Sequence, residues 1–220
     1  AAMLLDTVMA IPGLPRADSA SLADTSELTS LGTTLRVGWS SLSIPLQAAS
    51  GKNKVFTTAG TFGASTQDGI MDPANVSIAW RFNATTQGWV LLVAGDTITP
   101  LQAIYVNSLT GNQVRVLVSQ VYSSPPSMAL TATGWNFLGT ALPPDTVSLP
   151  ANQLLGSLYN LPTGANPSFT QVVSPSFDGT PVVWAWNNTS SIPSLLRWRG
   201  YWVNMAATGT LAGFSTTPAW

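Results

Sequence analysis

Apolar residues recur at every second position through much of the chain. Val114, Val116 and Val118 alternate with Arg115, Leu117 and Ser119, and β-branched and aromatic residues dominate such stretches, as half-buried strands require. Turn chemistry separates them: Asp68-Gly69, Gly111-Asn112 and Asp178-Gly179, with many prolines between. Helical spacing is confined to residues 1–11 and to Ser148 through Tyr159, where Leu149, Leu154, Leu155 and Leu158 carry it. The pattern predicts an all-β protein.

The strands are written twice. Val37-Gly38-Trp39-Ser40-Ser41-Leu42-Ser43-Ile44-Pro45 matches Thr133-Gly134-Trp135-Asn136-Phe137-Leu138-Gly139-Thr140-Ala141-Leu142-Pro143 in its Gly-Trp, its alternation and its closing Pro. Ile78-Ala79-Trp80-Arg81-Phe82-Asn83 matches Val182-Val183-Trp184-Ala185-Trp186-Asn187, and Leu101-Gln102-Ala103-Ile104-Tyr105-Val106-Asn107 matches Trp198-Arg199-Gly200-Tyr201-Trp202-Val203-Asn204. Thr110-Gly111 then matches Thr208-Gly209. These segments keep their order, each roughly 100 residues from its partner, so a tandem duplication explains them better than chance. The expected architecture is two tandem, structurally similar, antiparallel β-sandwich-like modules, residues 35–122 and 128–220. A Ser-Pro linker around Ser123-Ser124-Pro125-Pro126-Ser127 joins them, and residues 1–34 form an N-terminal extension.

Gly134-Trp135-Asn136-Phe137-Leu138-Gly139, Val183-Trp184-Ala185-Trp186-Asn187 and Arg199-Gly200-Tyr201-Trp202-Val203 resemble a repeat of S-layer and other secreted surface proteins of bacteria and archaea. The first module carries the pattern loosely, with Ser40 in place of Asn and Ala103-Ile104-Tyr105-Val106 in place of Gly-Tyr-Trp-Val. The resemblance implies an extracellular, cell-surface setting and a structural role, and it implies no ligand.

Only 8% of the residues are charged and the net charge is −1, so no positive field exists to hold a phosphate backbone, and nucleic acid is not expected as a partner. No apolar run reaches the roughly 20 residues that span a bilayer as a helix. The opening Ala1 to Ile11 stretch is apolar but lacks a basic region and contains Asp6, which makes it a poor signal peptide.

With no His and no Cys, a Ser-His-Asp triad, a Cys nucleophile and a soft-ligand zinc site are excluded. Glu27 is the one Glu, and most of the Asp residues lie beside Gly, Pro or Thr, where turns and caps account for them; no catalytic, cofactor or metal site is expected. Asp68 and Asp72 flank a Gly and are the candidates for Ca²⁺, but the turn reading is favoured because the dense Asp/Asn spacing of calcium loops is missing. Asn75, Asn83, Asn187 and Asn188 open Asn-x-Ser/Thr sequons, no more than chance gives in so Ser- and Thr-rich a chain.

Trp39 with Trp135, Trp80 with Trp184 and Tyr105 with Trp202 recur at matched positions and are expected in the core. Trp89, Trp186, Trp198 and Trp220 are unmatched, which marks them as candidates for an aromatic interface or a sugar-stacking surface. Met3, Leu4, Leu5, Val8, Met9 and Ile11 need burial and form a candidate assembly segment. Two Lys in the whole chain can guard few sheet edges. The expectation is a non-catalytic, extracellular, self-assembling subunit of a surface layer, filament or sheath, a homo-oligomer or polymer. A carbohydrate-binding or adhesive module is the alternative, with glycans as its partner.

Overall fold

A computed structural model describes residues 28–119, 125–143, 145–159, 167–175 and 182–213. The chain is all-β. Its first half contains β1 (Leu28–Leu35), β2 (Gly38–Ser43), β3 (Lys54–Phe56), β4 (Gly69–Met71), β5 (Val76–Asn83), β6 (Gly88–Leu91), β7 (Ala103–Ser108) and β8 (Asn112–Ser119). One sheet has the order β1-β8-β4-β3, the other β2-β7-β5-β6. First and last strands pair antiparallel in one sheet, second and next-to-last in the other, and β3 joins β4 in parallel at the edge of the first sheet. Between the sheets, Val114, Val116 and Val118 of β8 meet Leu42, Ala79, Ile104 and Val106, all buried, as the period-two pattern requires.

The second half contains β9 (Ser127–Leu130), β10 (Gly134–Gly139), β11 (Ser148–Pro150), β12 (Phe169–Val173), β13 (Val183–Ala185), β14 (Ser194–Leu196), β15 (Gly200–Met205) and β16 (Gly209–Ala212). Helical spacing after Ser148 resolves into one turn of helix, α1 (Ala151–Leu154), and a 3-10 turn at Gly156–Leu158, which deliver Ala151, Leu155 and Leu158 to the core. The sheet β10-β15-β12-β13 has the same order as β2-β7-β5-β6, and β16 pairs β9 as β8 pairs β1.

The likeness extends to irregularities. Pairing of β5 with β7 shifts between Val76 and Ile78, and pairing of β12 with β15 shifts between Phe169 and Gln171. Gly38 and Gly134 open β2 and β10 with φ of 89° and 83°. Leu101 and Trp198, each two residues before its strand, are non-glycine residues at φ 69° and 70°.

Register also corrects one match. Trp80 pairs with Tyr105, and Val173 pairs with Trp202, so Val173 rather than Trp184 stands where Trp80 stands. Trp184 lies on β13 opposite Val172, the place that Leu92 takes beside Ala79 in the first half. A Trp on a strand that runs into an Asn-containing turn is too short a pattern to distinguish β5 from β13. The extension also ends earlier than residue 34, because β1 starts at Leu28 and pairs along its length with β8.

Candidate functional site

The two halves meet by exchanging side chains. Leu101, from the first half, is buried in the second core among Leu138, Leu195 and Tyr201, while Trp198, 8% exposed, enters the first core beside Leu42 and Ile44. The backbone repeats the exchange: Ser43 N–H donates to the Trp198 carbonyl at 3.1 Å, and Gly139 N–H donates to the Leu101 carbonyl at 2.8 Å. Each half gives the other what it receives, the contact pattern of an isologous, two-fold interface. Ser43 Oγ donates to the Arg199 carbonyl at 2.9 Å, and Gly200 N–H donates to Ser41 Oγ at 3.0 Å.

Outward faces of β2-β7-β5-β6 and β10-β15 carry the aromatic rings that line this junction. Trp202 Nε1 donates to Tyr105 Oη at 2.9 Å, joining two positions that register makes equivalent. Phe82 and Phe137 each lie 4.8 Å from the Trp202 ring, and Trp89 stacks on Tyr105 at 5.1 Å. Ring pairs of this geometry contribute about 0.5–1.5 kcal/mol each beyond the area they bury.

Beyond the junction the same face opens into a cleft of about 430 Å³ lined by Trp39, Trp80, Trp89 and Tyr105. All four stand on one side of the sheet, since Trp80 pairs Tyr105, Tyr105 pairs Ser41 two residues from Trp39, and Trp89 pairs Phe82 two residues from Trp80. Trp39 is 40% exposed and Trp89 43%. Trp39 is therefore not core filling, and its counterpart Trp135 is only partly buried.

Of the four unmatched tryptophans, Trp89 lines the cleft, Trp186 packs partly buried on the second core and Trp198 is buried in the first. Trp198 is thus an interface residue inside the chain, with no face left for a sugar. Trp220, like Met3, Leu4, Leu5, Val8, Met9 and Ile11, lies outside the described residues. Missed from sequence were Trp39, Trp80 and Tyr105 as lining of one cleft.

Asp68 is occupied structurally. It accepts from Lys54 Nζ at 2.8 Å, Thr58 N–H at 2.7 Å, Thr58 Oγ1 at 2.8 Å and Ala59 N–H at 2.9 Å, fastening the segment after β3 to β4. Burial pushes its carboxyl up, but Lys54 and the three Thr58 and Ala59 donors outweigh burial and hold it well below the usual carboxylate range. Asp72 caps the 3-10 turn Pro73–Asn75 through Ala74 N–H at 3.0 Å. Among the described residues, no cluster of three or more His, Cys, Asp or Glu could hold a metal.

Because Asp68 has a lowered folded-state pKa, its contribution is complete above about pH 5 and is lost as pH falls below about 4. Asp68→Asn should cost about 2 kcal/mol at neutral pH and flatten the acid limb of the stability curve. Urea unfolding at pH 7 and pH 3 measures both, and equal losses at the two pH values would contradict the assignment.

Both outward sheets end in uncharged edges. β6 closes one with Trp89, Val90 and Leu91 exposed, and β13 closes the other with Val183 67% exposed. Neither strand contains Lys, Arg, Asp, Glu or Pro. No helix among the described residues is long and apolar enough to cross a membrane. No family model, curated protein or solved structure matches the chain.

Proposed function

We propose that this chain is a non-catalytic, extracellular structural protein that assembles with copies of itself into a surface layer, filament or sheath. The observation that supports the reading is the pair of edges without charge or Pro, β6 and β13, at equivalent places in the two halves. Solitary β-proteins blunt their edges with Lys, Pro, inward charges, bulges or short strands; β6 and β13 have no charge and no Pro, and only their lengths of four and three residues limit pairing. Two edges on one chain have a geometric consequence. A contact of β6 on one copy with β13 on the next is heterologous, so each copy added exposes a fresh edge and growth continues until it closes in a ring or extends as a fibre.

The apolar segment with Met3, Leu4, Leu5, Val8, Met9 and Ile11 offers a second means of attachment, since these side chains need burial. The resemblance of Gly134-Trp135-Asn136 and Gly200-Tyr201-Trp202-Val203 to surface-layer repeats supports the same setting. The 8% charge content fits a surface meant to be covered rather than solvated.

A double variant, Val90→Lys with Val183→Lys, tests the edges. It should remain folded, since both side chains are exposed, and should leave monomers where the wild type gives sheets or filaments in negative-stain images and light scattering. Polymers of unchanged length would remove the edges from the proposal, and a wild type that stays monomeric at high concentration would remove assembly itself.

A further inference from the structure

We infer that the cleft between Trp39, Trp80, Trp89 and Tyr105 is a binding site for a neutral glycan, a function independent of edge pairing. Trp80 supplies the first reason. At its equivalent in the second half, the same fold has Val173, so the architecture does not demand an indole there, and Trp80 is not fully buried where it stands. Trp39 has a Trp at its equivalent, Trp135, but at 40% exposed its own ring is not core filling. Large rings kept in water on one concave face are unfavourable for folding and suited to a ligand with a flat apolar side.

Chemistry narrows that ligand. No Lys, Arg, Asp or Glu lines the cleft, which leaves an anionic or cationic guest without a partner. The indole N–H groups of Trp39, Trp80 and Trp89 have no acceptor among the described residues, and they can donate to hydroxyl oxygens. Asn107, cross-strand from both Trp39 and Ile78 and on the same face, stands next to these rings without lining the cleft. A pyranose has what this arrangement asks for: a C–H face to lie on an aromatic ring and a rim of hydroxyls that both donate and accept. A bare hydrocarbon would leave the three indole N–H groups unused. The cleft is open to solvent and is not an enclosed cavity, so a sugar bound there can continue into a longer chain.

Titrations of intrinsic Trp fluorescence with cellohexaose, maltohexaose and chitohexaose, with hexagalacturonate as the charged control, test the inference. A saturable change with at least one neutral hexasaccharide and none with hexagalacturonate is expected. Trp80→Val, which installs the residue the second half already uses, should weaken that binding by roughly tenfold or more while leaving the far-ultraviolet circular dichroism and unfolding midpoint nearly unchanged. Trp39→Ala should act the same way, giving a second probe at an exposed position. The inference is overturned if no neutral hexasaccharide gives a saturable response, or if both variants bind as the wild type does. It is equally overturned if Trp80→Val leaves glycan response absent or unaltered but abolishes polymers, since the face is then a contact between copies.

Discussion

Trp198→Ala should lower the free energy of unfolding by about 3–5 kcal/mol, the range for removing a buried Trp from a core. The indole is 8% exposed and sits among Leu42, Ile44 and the rest of the first core, although its backbone belongs to the second half. Truncation leaves a cavity in one half and removes one of the two exchanged side chains that tie it to the other. Trp198 also holds φ near 70°, a region that costs a non-glycine residue about 1–2 kcal/mol. Ala keeps that strain and loses the packing. Trp198→Gly loses the packing but relieves the strain, so it should be less destabilising than Ala at this position, the reverse of the order found in ordinary strands. Leu101→Ala is the reciprocal change in the second core and should cost about 2–5 kcal/mol. Because each core contains a residue of the other half, urea should unfold the wild-type chain in one cooperative transition. Two separate transitions, or a Trp198→Ala loss under 1 kcal/mol, would refute the exchange as a stabilising element.

Much of this architecture was legible before any coordinates. Alternation in Val114, Val116 and Val118 marks a strand with one buried face, and all three valines lie in the core. The Gly-Trp and Gly-Tyr-Trp-Val segments locate β2, β10, β7 and β15 on equivalent strands. These signals are strong because they combine period two with a glycine that the backbone needs: Gly38 and Gly134 occupy positive φ, where a side chain is strained.

What failed has separate physical causes. Period two tells which residues share a face, but not which face the opposing sheet covers when both are apolar. In β2-β7-β5-β6 the inward set is modest in size, with Leu42, Ala79, Leu92, Ile104 and Val106, while the outward set contains Trp39, Trp80, Trp89 and Tyr105. Size suggested that the tryptophans were filling. The register of β5 on β7, not composition, shows that they line the other side. Trp198 misled differently, because strand alternation stops before Gly200 and the positive φ sends its side chain across the junction. A signal for that did exist: Leu101-Gln102-Ala103 and Trp198-Arg199-Gly200 align, so an apolar residue recurs at the same distance before each strand. Edges are the least legible feature. That β6 and β13 end their sheets depends on pairing across the whole chain, and nothing local to Gly88–Leu91 or Val183–Ala185 announces it.

A junction between two halves of matching strand order imposes a further demand where equivalent residues approach each other. Ala103 and Gly200 are equivalent, opening β7 and β15, and so are Ser43 and Gly139, closing β2 and β10. A Cβ placed on Gly200 would lie 2.7 Å from the Ala103 Cβ and 2.6 Å from the Phe137 ring, and one on Gly139 would lie 2.7 Å from the Gln102 carbonyl oxygen and collide with Ser43. In each pair there is room for one side chain, so one partner has become glycine. Gly200→Ala should therefore cost about 2–3 kcal/mol, the overpacking range, because Ala103, Phe137 and the two sheets would have to separate. Adding Ala103→Gly should recover part of the loss, the part due to the Cβ contact, while the Phe137 clash persists. A double-mutant cycle by urea unfolding reads this as a coupling of about 0.5–2 kcal/mol between two residues far apart in sequence. Additive effects would mean that the halves do not meet as closely as the exchange of Leu101 and Trp198 requires, whereas a measured coupling ties the glycines to the junction itself: one half cannot be a strict copy of the other, because the interface admits only one side chain of each such equivalent pair.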